Sequence, residues 1–249
     1  MELAGKVCLI TGGTKGIGAA TAVELALLGA DVAINGRVAD EAAIDLKAKI
    51  EAMGRRCVTV IADISKPAEA TKCVGAAASA LGGVDVLVHS AGGAAGGGLL
   101  EVSQEAWYQA FDVHVHGAFH LCRAAVPLMK KKRDGAIVLI SSVAGLRGCL
   151  GAIAYGVAKG ALPQFARALG RELGDDNIRV NCVSPGIIRT RFQDQLTGEQ
   201  IKDNLERRIP LHREGKAEDV AKVIAMLVCN DNITGENVVI DGGMSMRIV

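Results

Sequence analysis

The chain has 249 residues, of which 50% are hydrophobic and only 3% aromatic, and its formal net charge is +1. A nearly neutral chain gives no electrostatic reason to expect binding to nucleic acid or to an anionic membrane. No apolar run reaches the roughly 18 residues of a membrane span, and the start does not resemble a secretory signal. We therefore expect one cytoplasmic domain, residues 1–249, whose core is built from Val, Ile, Leu and Ala.

Short apolar runs alternate with helical patterns along the whole chain. The predicted strands are Val7–Ile10, Val32–Asn35, Val58–Ile61, Val86–His89, Ile137–Ile140, Ile178–Val183 and Val238–Ile240. The predicted helices include Ile17–Leu28, Ala39–Met53, Ala68–Leu81, Glu105–Lys130 and Tyr155–Leu173. Strands separated by helices predict an α/β fold of the Rossmann type, a doubly wound parallel sheet of about seven strands with helices on both faces.

The cysteines and histidines do not predict a metal site. The seven cysteines form no Cys-x-x-Cys pair and mostly lie in apolar patterns, so we expect small core residues in a reducing compartment. His116 and His120 are four positions apart on a predicted helix, but the sequence offers no third ligand. We expect both to belong to a helix surface or to the core.

Several polar or glycine-rich segments directly follow the predicted strands. In a doubly wound sheet, ligands bind beyond the carboxyl ends of the strands, where the strand order reverses. The segments in question are Thr11–Gly18, Arg37, Asp63, Ser90–Gly92, Ser142 and Pro185-Gly186. Their common position after strands predicts a single ligand site.

The first of these segments predicts a dinucleotide site. Gly12, Gly16 and Gly18 follow a strand and open a helix, so the backbone can turn tightly and approach a pyrophosphate at the helix N-terminus. An acid that would hold a free ribose 2′-hydroxyl is missing at the end of the second strand, where Gly36 stands. Lys15 and Arg37 favour NADP(H), with NAD(H) as a second possibility; otherwise both are solvated surface cations.

Tyr155 and Lys159 are the strongest catalytic candidates. Positions i and i+4 lie on one face of a helix, so Lys159 is expected close to the Tyr155 phenol. One positive charge about 4 Å away is worth about 4 kcal/mol at an effective dielectric constant of 20, which is enough to lower a tyrosine pKa towards neutrality. Burial of the phenolate opposes that shift. The pair is therefore predicted to perform acid–base chemistry.

Together these segments resemble the short-chain dehydrogenase/reductase family, from Lys6 to Gly243. The resemblance implies hydride transfer between a nicotinamide and a carbonyl or secondary alcohol. Tyr155 would then be the proton donor, Ser142 would bind the substrate oxygen, and Lys159 would bind the nicotinamide ribose. It assigns the cofactor to Gly12, Thr14, Lys15, Gly16, Ile17, Gly18, Arg37, Asp63, Ile64, Ser90, Ala91, Gly92, Tyr155, Lys159, Pro185, Gly186, Ile188 and Thr190.

The sequence departs from the family pattern at three places. His114 replaces a common Asn whose main-chain carbonyl holds a water linked to the lysine, and we expect the His114 carbonyl to keep that role while its imidazole packs or tunes the site. His89-Ser90 replaces a common pair of asparagines. Pro163 removes a helical hydrogen bond to the Lys159 carbonyl and should bend the helix. Ser141 competes with Ser142, but the thirteen-residue offset to Tyr155 favours Ser142.

Substrate and assembly are less well defined. The resemblance includes 3-oxoacyl thioester reductases and sugar or polyol dehydrogenases, and a non-catalytic dinucleotide sensor is a further alternative. Substrate walls are expected from Gly93–Leu100, Leu146–Ile153 and Ile187–Leu211, the last, residues 187–211, being a candidate lid. Its arginines, Arg191 among them, either meet an anionic substrate or are solvated. The family's usual helix faces and the segment Asp241–Gly243 predict a homotetramer.

Overall fold

A seven-stranded parallel sheet forms the centre of the computed structural model, which describes residues 1–190 and 196–246. The strands are β1 Val7–Thr11, β2 Asp31–Gly36, β3 Cys57–Ile61, β4 Val86–His89, β5 Gly135–Ile140, β6 Ile178–Pro185, β7 Ile188–Arg189, β8 Gly215–Lys216 and β9 Asn237–Ile240. The large sheet has the order β3-β2-β1-β4-β5-β6-β9, and β7 pairs with β8 separately. The predicted fold class is confirmed.

Helices cover both faces of the sheet. They are α1 Gly16–Leu27, α2 Glu41–Glu51, α3 Pro67–Leu81, α4 Gln104–Phe111, α5 Gly117–Lys132, α6 Ile153–Leu173, α7 Gly198–Asp203 and α8 Ala217–Cys229. One core cluster joins the sheet to α1, α2 and α8, and the other joins it to α3, α5 and α6. None of the helices in the described ranges combines the length and apolar character that crossing a membrane requires.

The central strands are buried along their whole length because both of their faces are covered. Every residue of β1, β4, β5 and β6 is buried. Val, Ile and Leu dominate these strands, which is the composition expected of parallel strands packed on two sides. The sequence prediction therefore located these strands to within one or two residues at each end.

The strand order reverses between β1 and β4, and this reversal positions the site. β1 pairs with β2 on one side and with β4 on the other, with Thr11 beside His89 at the carboxyl edge. The crossovers after β1 and β4 leave on opposite faces, which opens a crevice at that edge. The loops after β1, β4 and β5 therefore meet there.

The helical region 104–132 differs from its prediction. A single helix Glu105–Lys130 was expected, but a π-helical turn, Asp112–His116, interrupts it between α4 and α5. Such turns insert an extra residue and often occur at functional sites. This turn carries His114.

The candidate lid, residues 187–211, contains β7, α7 and a second π-helical turn, Asn204–Arg208. The strand β7, which pairs with β8, was not predicted. Residues 191–195, including Arg191, lie outside the described residues. α8, which packs on α1, was also absent from the predicted helices.

Most cysteines occupy the core, as expected. Five are buried and Cys229 is half-buried, and none forms a disulfide. Cys149 differs, because it is exposed in the loop after β5. Burial raises the pKa of the Cys57, Cys73, Cys122 and Cys182 thiols to about 12. These four thiols are therefore protonated near neutral pH.

Candidate active site

A single cleft of about 1460 Å³ opens at the carboxyl edge of the sheet. Every residue proposed above for catalysis or for the cofactor lines it, except Gly18. The loops after β1, β2, β3, β4, β5 and β6 all contribute to its walls. The structure therefore brings the separate sequence motifs into one site.

The glycine loop after β1 depends on close backbone contacts. A Cβ atom on Gly12 would lie 2.7 Å from the Ala91 Cα, and one on Gly18 would lie 2.2 Å from the Gly12 carbonyl oxygen. Gly12 and Gly16 also adopt φ values of 60° and 54°, which favour glycine. The absence of a side chain at Gly18 thus allows the turn to pack against the start of α1, although Gly18 does not line the cleft.

The start of α1 suits a phosphate group. Lys15 precedes the helix, and its side chain makes no capping hydrogen bond. The first N–H groups of a helix have no partner within it and carry partial positive charge. The glycine cradle and these N–H groups fit the pyrophosphate of a dinucleotide.

The end of β2 is too crowded for an acidic side chain. A Cβ atom on Gly36 would lie 2.9 Å from the Thr14 Cγ2. Lys15 forms an ion pair with Asp40, and the exposed Arg37 lies at the same end of the cleft. This end therefore contains the Asp40 carboxylate as well as two cations, and the sequence prediction missed Asp40.

Asp63 lies farther along the same wall and is ionised. Its Oδ1 accepts hydrogen bonds from the Ser65 hydroxyl at 2.7 Å and the Ser65 N–H at 3.1 Å. These bonds, the hydroxyl first, lower the pKa of the Asp63 carboxyl below its ordinary value. The neighbouring Ile64 is buried. Both residues line this part of the cleft.

Ser142, Tyr155 and Lys159 meet at the opposite end of the cleft. A hydrogen bond joins the Ser142 hydroxyl and the Tyr155 phenol. The Lys159 Nζ donates to the Ile140 carbonyl at 2.7 Å and lies 5.7 Å from the centroid of the Tyr155 ring. The helix spacing and the end of β5 thus bring the three side chains together.

The electrostatics of this group differ from the prediction. Burial raises the pKa of Tyr155 above its ordinary value, and the Ser142 hydrogen bond opposes that shift. Burial therefore sets the direction of the shift, whereas a lowering by Lys159 was expected. The Lys159 ammonium itself contacts the Ile140 carbonyl and lies over the ring of Tyr155. Burial instead lowers the pKa of Lys159 to about 8.

Ser141 has a different function from Ser142. Pro163 lies within α6 and cannot donate to the Lys159 carbonyl, which instead accepts a hydrogen bond from the Ser141 Oγ at 2.7 Å. α6 is continuous across Pro163. Ser141 therefore satisfies the carbonyl that Pro163 leaves unpaired, and Ser142 remains for the cleft.

The loop that carries Ser142 packs directly on the backbone of α6. A Cβ atom on Gly145 would lie 2.5 Å from the Gly160 nitrogen and 2.6 Å from the Lys159 carbonyl carbon. Two glycines thus allow the end of β5 and the catalytic helix to approach each other. This contact fixes Ser142 relative to Lys159.

His89 and His114 are both buried and form a connected network. The His89 Nε2 lies 3.2 Å from the His114 carbonyl, so this nitrogen carries the proton. The His89 Nδ1 then accepts from the Thr11 hydroxyl at 2.9 Å. Burial lowers the pKa of His89 to about 4 and that of His114 to about 2, and the charge of Lys159 adds to both shifts.

The imidazole of His114 packs between the loop after β4 and Tyr155. Its Nε2 donates to the Gly93 carbonyl at 3.1 Å, and its ring meets the Tyr155 ring edge-on with centroids 5.6 Å apart. A Cβ atom on Gly92 would lie 2.1 Å from the His114 Cε1. The His114 carbonyl, assigned above to a lysine-linked water, already accepts from His89.

The structure also shows wall residues that the sequence did not reveal. Arg147 donates to the Ser245 carbonyl at 3.1 Å, which joins the loop after β5 to the segment Met244–Met246. Met244 and Ser245 line the cleft although they are distant in sequence from its motifs. Asn181, by contrast, lies outside the cleft and bonds the Ile233 carbonyl and the Glu236 N–H.

No group of three or more potential metal ligands occurs among residues 1–190 and 196–246. His116, one of the two helix histidines considered above, is exposed and forms a pair with Asp112 at 2.8 Å. The other, His120, stacks edge-on against Phe119. Neither histidine therefore belongs to a metal-binding cluster of the described residues.

Comparisons with known proteins agree with this geometry. Residues 12–245 match the family model for enoyl-(acyl carrier protein) reductase. The chain is 36% identical to the 3-oxoacyl-[acyl-carrier-protein] reductase FabG of Chlamydia muridarum, with 98% of each chain covered. It is 34% identical to human dehydrogenase/reductase SDR family member 4, over 99% of this chain and 90% of that protein.

The chain belongs to the short-chain dehydrogenase/reductase family.

Two solved structures of this family have the same fold. A short-chain alcohol dehydrogenase from Sinorhizobium meliloti, described as putative, superposes with a TM-score of 0.92 at 35% identity and 99% coverage of both chains. L-Sorbose reductase from Gluconobacter frateurii, solved with NADPH and L-sorbose, also has a TM-score of 0.92, at 29% identity, covering 100% of this chain and 99% of that one. The protein is therefore a short-chain dehydrogenase/reductase with a nicotinamide dinucleotide site.

The buried histidines predict a loss of stability in acid. Folding holds His89 and His114 neutral, whereas the unfolded chain takes up protons below its ordinary histidine pKa of 6.5. Stability therefore falls as the pH drops below 6.5, by about 2 kcal/mol for each histidine at pH 5. Urea unfolding at pH 7.5 and pH 5 should show a smaller acid-induced loss in His89→Asn and His114→Asn than in the wild type.

The matched control is His116→Asn, because His116 is exposed. The free energy of unfolding that this variant loses between pH 7.5 and pH 5 should equal the loss in the wild type. Equal losses in all three variants would contradict the neutral assignment of the buried pair.

For Lys159 we predict that removing the side chain changes stability and activity in opposite directions. Its buried ammonium is disfavoured by folding at pH 7, and this cost disappears as the pH rises from about 8 to the ordinary lysine value of 10.5. Lys159→Met should abolish turnover yet raise the free energy of unfolding at pH 7, on the order of 2 kcal/mol. The gain should shrink at pH 10, as measured by urea unfolding.

Lys222→Met is the control, since Lys222 is exposed on α8. It should change neither turnover nor the pH dependence. A Lys159→Met protein that is less stable than the wild type at pH 7 would disprove the cost assigned to the buried charge.

Proposed function

We propose that the protein is an NADPH-preferring carbonyl reductase that acts on 3-oxoacyl thioesters and, in reverse, oxidises the corresponding secondary alcohol. The observation that carries this proposal is the contact of Tyr155 with Ser142 beside the buried Lys159. It places a proton donor, a hydrogen-bonding hydroxyl and a cation at one point of the cleft. Such a group suits carbonyl reduction by hydride and proton transfer.

The residues of the cleft divide between cofactor and substrate. The glycine loop and the start of α1 would hold the pyrophosphate, with Lys15 and Arg37 at the ribose 2′-phosphate. Asp63, Ile64, Ser90, Ala91 and Gly92 would line the dinucleotide, with Pro185, Gly186, Ile188 and Thr190 at the nicotinamide. The bound dinucleotide supplies or accepts the hydride. NADPH is also the cofactor in the L-sorbose reductase complex.

Side chains of the protein bind the substrate oxygen and transfer the proton to it. The Ser142 hydroxyl donates to the substrate oxygen and orients the carbonyl towards Tyr155. As the carbonyl carbon gains its new C–H bond, the phenolic proton passes to the oxygen, which becomes a hydroxyl. A charged Lys159 lowers the energy of the phenolate left on Tyr155. His114 packs on the ring and holds it in place.

The mouth of the cleft favours a substrate with an apolar chain. Leu99 is 73% exposed, Leu100 97% and Leu150 fully exposed. Their two loops are tied together by a hydrogen bond from the Gly97 N–H to the Gly151 carbonyl at 2.8 Å. Leu150 lines the cleft, and exposed apolar side chains beside a cleft are typical of a ligand surface. An acyl chain leaving the catalytic group would cover them.

A sugar or polyol is the second candidate substrate. The observation in its favour is the match to L-sorbose reductase, which superposes over 100% of this chain. A non-catalytic sensor is less well supported, because the side chains of Ser142, Tyr155 and Lys159 lie together in the cleft. Turnover depending on Tyr155 separates the enzyme from the sensor.

The proposal also includes a lid over the substrate, an oligomeric state and a cellular location. We infer that residues 187–211 close over the substrate, and that Arg208, which lines the cleft, contributes to this closure. A homotetramer is supported by Phe119 and Val157, apolar side chains exposed on α5 and α6. Val239 on β9 is likewise exposed and fits a second interface. We place the protein in the cytoplasm.

Replacing Tyr155 tests the reaction. Tyr155→Phe keeps the ring but removes the proton, so turnover of NADPH with a short 3-oxoacyl thioester should fall by at least about a hundred-fold. Loss of NADPH absorbance measures the rate, with NADH run in parallel. The control is Tyr108→Phe, because Tyr108 is the only other tyrosine of the chain and is exposed on α4.

Tyr108→Phe should retain the wild-type rate. A Tyr155→Phe enzyme as active as the wild type would remove the proposed proton donor. Faster turnover with NADH than with NADPH would reverse the cofactor preference.

Leu150 tests the substrate class. With 3-oxoacyl thioesters of increasing chain length, kcat/KM should rise with each added methylene that is buried, by up to about four-fold. Leu150→Ser should flatten this rise by removing part of the apolar surface. Leu27→Ser is the control, since Leu27 is exposed at the far end of α1.

The control should retain the wild-type dependence on chain length. Equal kcat/KM for all chain lengths, together with turnover of L-sorbose, would favour the sugar or polyol assignment.

A further inference from the structure

We propose that Asp40 is a specificity-determining residue that weakens the discrimination between NADPH and NADH. The inference deepens the proposed function, since it concerns the same dinucleotide site. It begins from the ion pair between the Asp40 carboxylate and the Lys15 ammonium at the ribose end of the cleft. Both residues line that cleft.

The position of Asp40 is fixed by the backbone. Asp40 is the N-cap of α2, and its Oδ1 accepts a hydrogen bond from the Ala43 N–H at 3.2 Å. N-cap acids are stabilised there by the hydrogen bond and by the positive end of the helix dipole. Asp40 is therefore a fixed carboxylate. The longer and more flexible Lys15 side chain extends to it and forms the ion pair.

Asp40 is the carboxylate that pairs with Lys15 beyond the end of β2. Gly36 cannot bear a side chain without displacing Thr14. Asp63 lies beyond β3, with its Oδ1 bonded to Ser65. A ribose 2′ substituent bound beside Lys15 would therefore meet the Asp40 carboxylate as well.

The two substituents respond to that carboxylate in opposite ways. A 2′-phosphate is repelled by Asp40 and must share the Lys15 ammonium with it. A 2′-hydroxyl donates a hydrogen bond to a carboxylate. Asp40 therefore acts against NADPH and in favour of NADH, while Lys15 and Arg37 act in the other direction.

The expected size of the effect is modest because the pair is partly solvated. The Lys15 side chain is 42% exposed and that of Asp40 is 32% exposed. Ion pairs of this exposure are worth at most about 1 kcal/mol, which corresponds to about five-fold in a dissociation constant. Salt should reduce the effect further.

The test is Asp40→Asn, which removes the charge but keeps a good N-cap for α2. Dissociation constants of the full-length protein for NADPH and NADH are measured by fluorescence titration at low salt. We expect the NADPH constant to fall about five-fold while the NADH constant stays the same or rises. The change should disappear at high salt.

The matched control is Asp45→Asn. Asp45 lies on the same helix α2, is exposed and does not line the cleft. It removes the same charge at another place, so both dissociation constants should remain at their wild-type values. Asp40→Ser is a second variant that keeps a capping side chain, and thermal unfolding checks that both variants fold.

Two results would overturn the inference. Weaker NADPH binding in Asp40→Asn and Asp40→Ser would mean that Asp40 holds Lys15 in place for the phosphate. Equal changes for NADPH and NADH would mean that Asp40 only shapes the loop.

The proposed NADPH preference can fail while the inference about Asp40 holds. A wild type that prefers NADH, but shifts towards NADPH on Asp40→Asn, would contradict the proposed NADPH preference and support the inference. A wild type that binds neither dinucleotide would contradict both.

Discussion

The burial of one ammonium group, that of Lys159, determines much of the structure around the cleft. Its Nζ is held by the Ile140 carbonyl at the end of β5, and no carboxylate is paired with it in the described residues. Burying a charge without an opposite charge is costly and lowers the lysine pKa. The structure keeps this costly arrangement beside the ring of Tyr155.

Several unusual local features follow from placing that lysine. α6 must lie close against the end of β5, and Gly145 and Gly160 make the approach possible. The carbonyl of Lys159 lacks its helical partner because of Pro163, and Ser141 replaces it. A serine, a proline and two glycines thus support one side chain. Adjacent serines at the end of β5 consequently have different partners: Ser141 bonds the backbone of α6, and Ser142 bonds Tyr155.

The sequence predicted the strands well and indicated which loops meet in the cleft, because apolar periodicity and short motifs are local signals. Strand β5 and the Tyr155–Lys159 spacing needed no tertiary information. The sequence did not predict the contacts made only in the folded structure, which are those of His89 with His114, Lys15 with Asp40, and Arg147 with Ser245. The pKa of Tyr155 was also mispredicted, because the balance between charge and burial depends on where the lysine ammonium points.

The two departures at positions 89 and 114 are best understood as one change. The His89 Nε2 proton goes to the His114 carbonyl, and the His114 imidazole fills the space that a side chain at Gly92 would need. Replacing either histidine alone leaves a buried polar group unpaired or a void beside Tyr155, at a cost of about 1–3 kcal/mol. The pair is neutral and rigid, so it shapes the cleft next to Lys159 without adding a second charge there.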